Sequence, residues 1–333
     1  MEKLPQNFKV PNAEERKRAL GSMGGTNFKV KKALENVDDY WVPINPPGPS
    51  DWLANEYESG QTFEEFKVNK NAIVEKGKSD TICILPLDKQ MSKSFLKNLV
   101  KMCEAFFYSC RIKLLPSVDI NTIEKIETRQ FPGDQYAPDT PGLIQYNASK
   151  ILSWLFRVYK PQNPRAICII AVTTQDIYPE ENFSFVFGLA NVMTQAGIFS
   201  FLRYDPGFNG DELNEGDDGQ NLMLYRACKV MTHEIGHMFG IRHCTFHECC
   251  MNGSNHIQEC QSRPLYYCVI CFRKLQYAIG FDVQERYQAL AKVCQEFGGL
   301  FDQDGQWFQR RYDDLLAKFG KLQSKMPDKK VKQ

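Results

Sequence analysis

Histidine and cysteine, side chains that commonly bind transition metals, are concentrated in one short part of this chain. All five histidines of the 333-residue sequence lie between His233 and His256. Six of the twelve cysteines fall between Cys244 and Cys271. Since the first residues lack the apolar core of a secretory signal, we expect a reducing compartment, where clustered cysteines bind metal more often than they form disulfides. The clustering therefore predicts metal binding.

The first metal site is predicted by the string HEIGH, which begins at His233. On a helix, His233 and His237 lie one turn apart, so both imidazoles reach one ion. A catalytic zinc takes a third protein ligand and leaves one position for water. Gly240 favours the positive φ that ends a helix, which turns His243 back towards the metal. The five-residue string alone arises by accident in many chains, but the added glycine and third histidine favour a catalytic zinc.

Glu234 stands beside a predicted ligand, and we expect it to act on water rather than to bind the metal. Zinc lowers the pKa of its water to about 7, and a nearby carboxylate accepts that proton and later delivers it to a leaving amine. The alternative, a solvated helix glutamate, is disfavoured because Glu234 occupies the position that this chemistry requires. These residues predict peptide hydrolysis.

A second, closed zinc site is predicted from four cysteines, Cys244, Cys249, Cys268 and Cys271. The last two form a Cys-x-x-Cys pair, and four thiolates suit the tetrahedral geometry of a structural zinc. Buried reduced thiols or adventitious disulfides are the alternative. Cys228, Cys260 and Cys294 are expected in the core or on the surface, and His247 and His256 as polar loop residues.

The elements that position these residues alternate between strands and helices, which predicts a mixed α/β fold. Apolar periodicity predicts helices over 95–110, 148–159, 224–238 and 283–294, the third carrying the two histidines. Short β-rich runs predict strands over 81–85, 166–172, 183–187 and 198–204. The run 166–172 is apolar on both faces, which is typical of a central strand covered by helices.

Three segments are predicted along the chain: an irregular N-terminal arm over 1–78, the zinc-binding domain over 79–297, and a C-terminal helical extension over 298–333. The arm is polar and rich in turn formers but carries isolated aromatics, so we expect it to wrap the domain. The extension ends in a lysine-rich tail (Lys325, Lys329, Lys330, Lys332), which is expected to be solvated.

Composition argues against several classes of partner. The 41 basic and 40 acidic side chains give a formal charge of +1, so no global field favours nucleic acid or anionic lipid. Only Lys229 and Arg242 are basic between 228 and 260, which disfavours a nucleic-acid-binding zinc module. The apolar run Ile167 to Val172 is far shorter than the ~20 residues of a membrane span. We expect a monomeric, intracellular protein, cytoplasmic or nuclear and not secreted, without membrane or nucleic-acid partners.

From about Thr81 to Cys294 the sequence resembles a known family. The motif from His233 to His243 matches the His-Glu-x-x-His-x-x-Gly-x-x-His signature of the metzincin metallopeptidases in full. The spacing of the four cysteines, with Met251 among them, resembles the archaemetzincins. Three stretches, 183–188, 197–201 and 253–256, look most like the second of the two vertebrate paralogues. Cys250 departs from the family pattern and leaves open whether it or Cys249 is the ligand.

The resemblance implies a metzincin-type catalytic domain, with a twisted mixed sheet and backing helices above the cleft and the zinc helix below it. Met251 would lie under the metal in the Met-turn, although a plain core methionine is the alternative. The family's edge strand pairs with extended substrate, so Phe183–Phe187 is either that edge or a core strand. Asp176 is expected as a turn cap more than as an anchor for a substrate amine.

These observations predict a zinc peptidase that acts on peptides or proteins and binds two Zn²⁺ ions, one catalytic and one structural. The catalytic metal is assigned to His233, His237 and His243, with Glu234 as general base and acid. A zinc-stabilised protein-binding module with the same fold and little hydrolysis is the alternative function. The intact Glu234 argues against it.

Overall fold

The computed structural model describes residues 8–68, 73–133, 142–209 and 219–323, so the lysine-rich tail lies outside the described residues. The helices are α1 Ala13–Leu20, α2 Phe28–Ala33, α3 Val37–Tyr40, α4 Trp52–Asn55, α5 Phe63–Val68, α6 Lys93–Phe106, α7 Ala148–Trp154, α8 Lys160–Gln162, α9 Pro206–Asn209, α10 Gly219–Met238, α11 Ile257–Ser262, α12 Val269–Ile279, α13 Val283–Phe297 and α14 Asp302–Gln323. The strands are β1 Thr81–Pro86, β2 Arg111–Leu114, β3 Thr128–Gln130, β4 Ile144–Asn147, β5 Ala166–Thr173, β6 Asp176–Tyr178, β7 Gly188–Asn191 and β8 Ala196–Ser200.

A five-stranded sheet with the order β2-β1-β5-β8-β7 forms the centre of the fold. Its first four strands are parallel, and β7 runs antiparallel to β8 at the edge. β3, β4 and β6 form a second, three-stranded sheet. The prediction of a mixed α/β fold with a mixed sheet is confirmed.

Side chains alternate between the two faces of the central sheet, and each face has its own core. On β5, Ile170 and Val172 join the larger cluster, which includes α6, α10, α12 and α13. Ile169 and Ala171 face the smaller cluster, which includes α7. β5 is buried along its whole length, so the predicted central strand covered by helices is confirmed.

The predicted strand Phe183–Phe187 is wrong, because these residues form an irregular segment and the strand begins only at Gly188. The register explains the difference. In the β7–β8 hairpin, Gly188 pairs with Phe199 and Asn191 pairs with Ala196. The paired residues of the edge strand therefore begin after the phenylalanines. The strand predicted over 198–204 also ends early, at Ser200, and a 3₁₀ turn follows at Leu202–Tyr204.

The N-terminal arm, described from residue 8, is less irregular than predicted because it contains the short helices α1 to α5. Its apolar side chains Leu20, Trp41 and Phe66 belong to the larger core cluster, and Trp41 Nε1 donates to Tyr267 O at 3.1 Å. Trp307 of α14 joins the same cluster. The arm, domain and extension therefore share one core, and the boundaries between them stay predictions.

Among the helices that the structure describes, none is both long enough and apolar enough to cross a membrane.

Candidate metal centres and cleft

α10 delivers the first two predicted ligands and ends where the sequence indicates. Gly240 has φ +81°, and its N–H donates to His237 O at 2.7 Å. The next N–H, of Ile241, donates to Gly236 O at 3.1 Å and closes the helix end. This left-handed turn reverses the chain and brings His243 back beside the helix.

The rings of His233, His237 and His243 converge on one point. Their centroids are 4.6 to 5.3 Å apart, and one ligand nitrogen from each lies within 4.8 Å of the others. The Nε2 atoms of His233 and His237 are 2.9 Å apart. The predicted three-histidine set is therefore assembled from two segments of chain.

Each of these rings uses its Nδ1 atom for a hydrogen bond outside the cluster. His233 Nδ1 donates to Cys250 O, His237 Nδ1 to Ile241 O, and His243 Nδ1 to Glu58 Oε1, each at 2.7 Å. With the protons on Nδ1, the Nε2 lone pairs face one another. Two lone pairs 2.9 Å apart repel unless a cation lies between them, so this donor set fits a zinc ion.

Burial also favours the neutral form of the helix histidines. It lowers the pKa of His233 to about 3 and the pKa of His237 far below its ordinary value, with the neighbouring His243 adding to both effects. Both rings are therefore neutral near pH 7 and keep a lone pair for a metal.

Glu234 lies next to the cluster, on the wall of a cavity of about 530 Å³ that we call the cleft. Burial raises the pKa of its carboxyl to about 7, although the nearby His243 lowers it. A carboxyl with a pKa close to the working pH is suited to accepting and releasing a proton. The cleft is lined by five aromatic side chains, Trp52, Phe183, Phe185, Phe187 and Tyr204.

The four predicted cysteines form a second cluster, fully enclosed in the protein. Their sulfur atoms lie within 4.8 Å of one another, and Cys244 Sγ and Cys268 Sγ are 3.5 Å apart. Sulfur hydrogen bonds from the other three hold the pKa of Cys244 well below its usual range. Cys268 is the N-cap of α12 and Cys271 lies in its first turn, where the helix dipole stabilises negative charge. This set fits a closed tetrahedral zinc site.

Cys249, and not Cys250, belongs to this cluster. Cys249 Sγ accepts from Cys268 N at 3.1 Å, whereas Cys250 Sγ lies 3.3 Å from Thr232 Oγ1 on α10, which we call the zinc helix. Of the two adjacent thiols, only Cys249 therefore lies among the four clustered sulfur atoms.

Met251 follows directly and packs beneath the three-histidine cluster. It is fully buried, and a Cβ built on Gly236 would come within 2.5 Å of its Sδ. The absence of a side chain at Gly236 lets the methionine approach the zinc helix between the two histidines. Met251 therefore packs against α10 at Gly236.

Comparison with known proteins decides the family. A model of the family described as peptidase family M54 matches residues 133–277. Archaemetzincin-2 of Rattus norvegicus is 35% identical over 294 residues, which cover 80% of this chain and 79% of that protein. The chain belongs to the archaemetzincin family. It is a zinc metallopeptidase that acts on peptides or proteins, as predicted.

Other relatives agree with this assignment. Archaemetzincin-2 of Homo sapiens is 33% identical, with 80% of this chain and 78% of that protein covered. Archaemetzincin-1 of Homo sapiens is 29% identical, with 75% and 53% covered, so the predicted likeness to the second paralogue is confirmed. A crystal structure of archaemetzincin from Methanopyrus kandleri overlaps with a TM-score of 0.44 at 22% identity, covering 63% of this chain and 100% of that chain.

The edge of the sheet lies beside the cleft in this archaemetzincin-family chain. Among the described strands, β7 has a partner on one side only. Gly188 pairs with Phe199 and also lines the cleft. Ser200 N donates to Phe187 O, so by the antiparallel alternation the main-chain groups of Gly188 and Ala190 face away from β8.

Asp176 is neither a turn cap nor an exposed anchor. It lies within β6, fully buried, and its carboxylate accepts from Arg203 Nε at 2.8 Å and Arg203 Nη2 at 2.7 Å. Gln145 Nε2 also donates to it at 2.8 Å. The Arg203 guanidinium lies 3.8 Å from the centre of the Phe185 ring, so this ion pair supports the aromatic wall of the cleft.

The remaining histidines and cysteines do not join either cluster. His256 is the N-cap of α11 and its Nε2 lies 3.1 Å from Asp51 Oδ1. His247 was expected as a polar loop residue but is buried, with neither ring nitrogen hydrogen-bonded. Cys228 and Cys294 are buried in the core as expected, and Cys260 is partly exposed at the cleft.

Two arm residues at this site, Trp52 and Glu58, could not be found from sequence reasoning. Hydrogen bonds from His243 and Trp52 outweigh the effect of burial and lower the pKa of Glu58, which is therefore ionised. Glu58 is 185 residues away from its partner His243, so no local spacing connects them. The only signal in the sequence is the presence of aromatics in an otherwise polar arm.

Proposed function

We propose that this zinc metallopeptidase binds its catalytic metal through His233, His237 and His243 and uses Glu234 as general base and then general acid. The observation that carries the proposal is the set of converging Nε2 lone pairs, each fixed by an Nδ1 hydrogen bond, beside a half-buried carboxyl in the cleft. When bound there, zinc supplies the Lewis acidity that makes a water molecule acidic near pH 7.

Glu234 then moves one proton in two steps. It accepts a proton from the attacking water, whose oxygen bonds to the carbonyl carbon of the substrate. As the carbon–nitrogen bond breaks, Glu234 delivers that proton to the leaving amine. The products are a carboxylic acid and an amine, and the side chain of Glu234 returns to its ionised starting state.

The edge strand β7 is proposed to bind the substrate main chain. The outward-facing groups of Gly188 and Ala190 offer donors and acceptors to an extended peptide next to the cleft. Such pairing gives affinity with little dependence on the substrate's side chains.

We further propose that the four-cysteine cluster binds a second zinc of structural character, which gives two zinc ions per chain. Its enclosure supports a closed site. All twelve cysteines are free of disulfides, which supports action in the reducing interior of the cell. One chain supplies every residue of both clusters, so neither proposed site requires a second copy of the chain.

The test is cleavage of a peptide library, read by mass spectrometry, with the native chain and the Glu234→Gln variant. The variant keeps the size of the side chain but cannot accept the proton, so we expect cleavage to fall by roughly 10²- to 10⁴-fold. Elemental analysis should find its zinc content unchanged. Undiminished cleavage by the zinc-loaded variant would contradict the role of Glu234, and no cleavage by the native chain would favour the binding-module alternative.

A further inference from the structure

The three histidine ligands differ in what holds their second ring nitrogen. His233 and His237 donate to main-chain carbonyls of the same part of the chain. His243 instead donates to a carboxylate, Glu58 Oε1, at 2.7 Å. Glu58 belongs to the N-terminal arm and lies outside residues 133–277, which the family model matches.

Glu58 is itself held in place by Trp52. The indole Nε1 donates to Glu58 Oε1 at 3.1 Å, so one carboxylate oxygen accepts from both the indole and His243. The indole ring also packs edge-on against the His243 ring, with centroids 5.2 Å apart. The two arm residues therefore contact one ligand from two directions.

The segment 51–58 is anchored to the peptidase domain independently of His243. Trp52 N donates to the buried carboxylate of Glu259, with both oxygens at 3.1 Å, and Asp51 Oδ1 lies 3.1 Å from His256 Nε2. The indole also covers Gly253, where an added Cβ would come within 2.5 Å of its Cδ1. These contacts hold Glu58 in position beside the three-histidine cluster.

We propose that Glu58 is a positioning residue of the catalytic centre, which the N-terminal arm completes. The carboxylate retains the proton on His243 Nδ1 and fixes the ring so that Nε2 faces the metal position. Its negative charge also raises the basicity of the ring as a ligand. The inference rests on the proposed three-histidine zinc site and adds to it a residue from a segment far away in sequence.

The experiment measures zinc affinity, not only cleavage. Zinc bound per chain is counted by elemental analysis across a chelator-buffered series of free zinc concentrations, for the full chain and its Glu58→Ala variant. Loss of such an outer carboxylate weakens metal binding by roughly 10- to 100-fold, and we expect that shift for the weaker of the two zinc ions. The stronger, cysteine-bound zinc should be unaffected.

Three further variants distinguish positioning of His243 by Glu58 from a role in docking the arm onto the peptidase domain. Glu64→Ala removes another arm glutamate, which pairs with Lys67 on the surface, and should bind zinc like the native chain. Trp52→Phe keeps a ring but deletes the indole donor, so a smaller loss is expected. Glu58→Gln keeps an acceptor oxygen without the charge and should bind zinc several-fold more weakly than the native chain. Melting temperatures report arm docking separately from zinc affinity.

Native zinc affinity in folded Glu58→Ala overturns the proposal, even if its melting temperature falls. Should the alanine variant fail to fold, native affinity in Glu58→Gln overturns it instead. The His243→Ala variant distinguishes failure of the positioning role of Glu58 from failure of the proposed function. Retention of both zinc ions by His243→Ala means that the three-histidine site itself is wrong, whereas loss of one ion there, with native affinity in the Glu58 variants, removes only the positioning role.

Discussion

Gly236 lies in direct contact with Met251: a Cβ built on the glycine would come within 2.5 Å of the methionine Sδ, and closer still to Tyr267 Oη. Tyr267 Oη donates to Thr232 O at 2.7 Å, so both Met251 and Tyr267 contact the zinc helix. The helix and the turn beneath it therefore fit together only because position 236 has no side chain.

The Gly236→Ala variant tests this fit. The methyl group must displace Met251 and Tyr267, and overpacking of a well-filled core costs about 1–3 kcal/mol. We expect a loss of that size in the free energy of unfolding, measured with denaturant, together with reduced cleavage. Adding Tyr267→Phe removes one of the two clashing atoms and should restore part of the stability. An alanine variant of native stability would mean that the contact is looser than described.

The three-histidine cluster and the four-cysteine cluster should respond differently to loss of a metal ligand. A structural zinc contributes an apparent ~10–16 kcal/mol in zinc-finger peptides, comparable with the ~5–15 kcal/mol stability of a whole domain. Cys268→Ser should therefore give an unstable or aggregating protein. His243→Ala should remain folded, keep one zinc per chain and lose cleavage, because α10 is held by its own packing.

Cys250→Ser is the matched control for the cysteine cluster. Cys250 is buried, like its neighbour Cys249, but contacts Thr232 instead of the other sulfurs. Its serine variant should keep both zinc ions, as counted by elemental analysis. A single zinc in pure, fully active native protein, or native stability of Cys268→Ser, would contradict the two-site proposal.

The edge strand can be tested with proline at two adjacent positions. Proline removes one main-chain donor and is tolerated where that donor does not serve the sheet. Ala190→Pro should weaken peptide cleavage more than it lowers the melting temperature, because the Ala190 N–H faces away from β8. Leu189→Pro removes a donor directed at β8 and should mainly destabilise the fold. Equal activity per folded molecule in native and Ala190→Pro protein would exclude main-chain pairing there.

The buried ion pair between Asp176 and Arg203 gives a fourth prediction. Both side chains are almost fully buried, at 0% and 3% exposure, so Asp176→Asn removes a buried negative charge that faces the Arg203 guanidinium. Breaking such a pair costs about 3–5 kcal/mol, which chemical denaturation measures directly. The exposed pair of Glu64 and Lys67 is the control, and Glu64→Gln should cost at most about 1 kcal/mol.

Local sequence was sufficient for the zinc helix and the central strand. The spacing of His233 and His237 follows from the helical period, and the glycine at 240 marks the helix end, so these features need no knowledge of the remaining chain. The strand Ala166–Thr173 is recognisable because an element buried on both faces has no polar alternation.

Features set by distant contacts could not be predicted. The alternating phenylalanines at 183–187 suggest a strand, yet the hairpin register starts the strand at Gly188 and the Phe185 ring packs on Arg203 instead. The partner of His243 is likewise invisible in sequence. No local spacing distinguishes Glu58 from the other acidic residues of the arm, and tertiary packing brings it to the ring.

The hydrogen bond between Glu58 and His243 also has a consequence for biosynthesis. The two residues are 185 positions apart, and ribosomes add about 5–20 residues per second, so roughly 10 to 40 s pass between their syntheses. Throughout that interval the arm has neither His243 nor the later anchor Glu259 to bind. A nascent chain that has not passed position 259 therefore lacks both the ring that Glu58 contacts and the carboxylate that anchors Trp52, so we expect the proposed catalytic centre to form only after that point of translation.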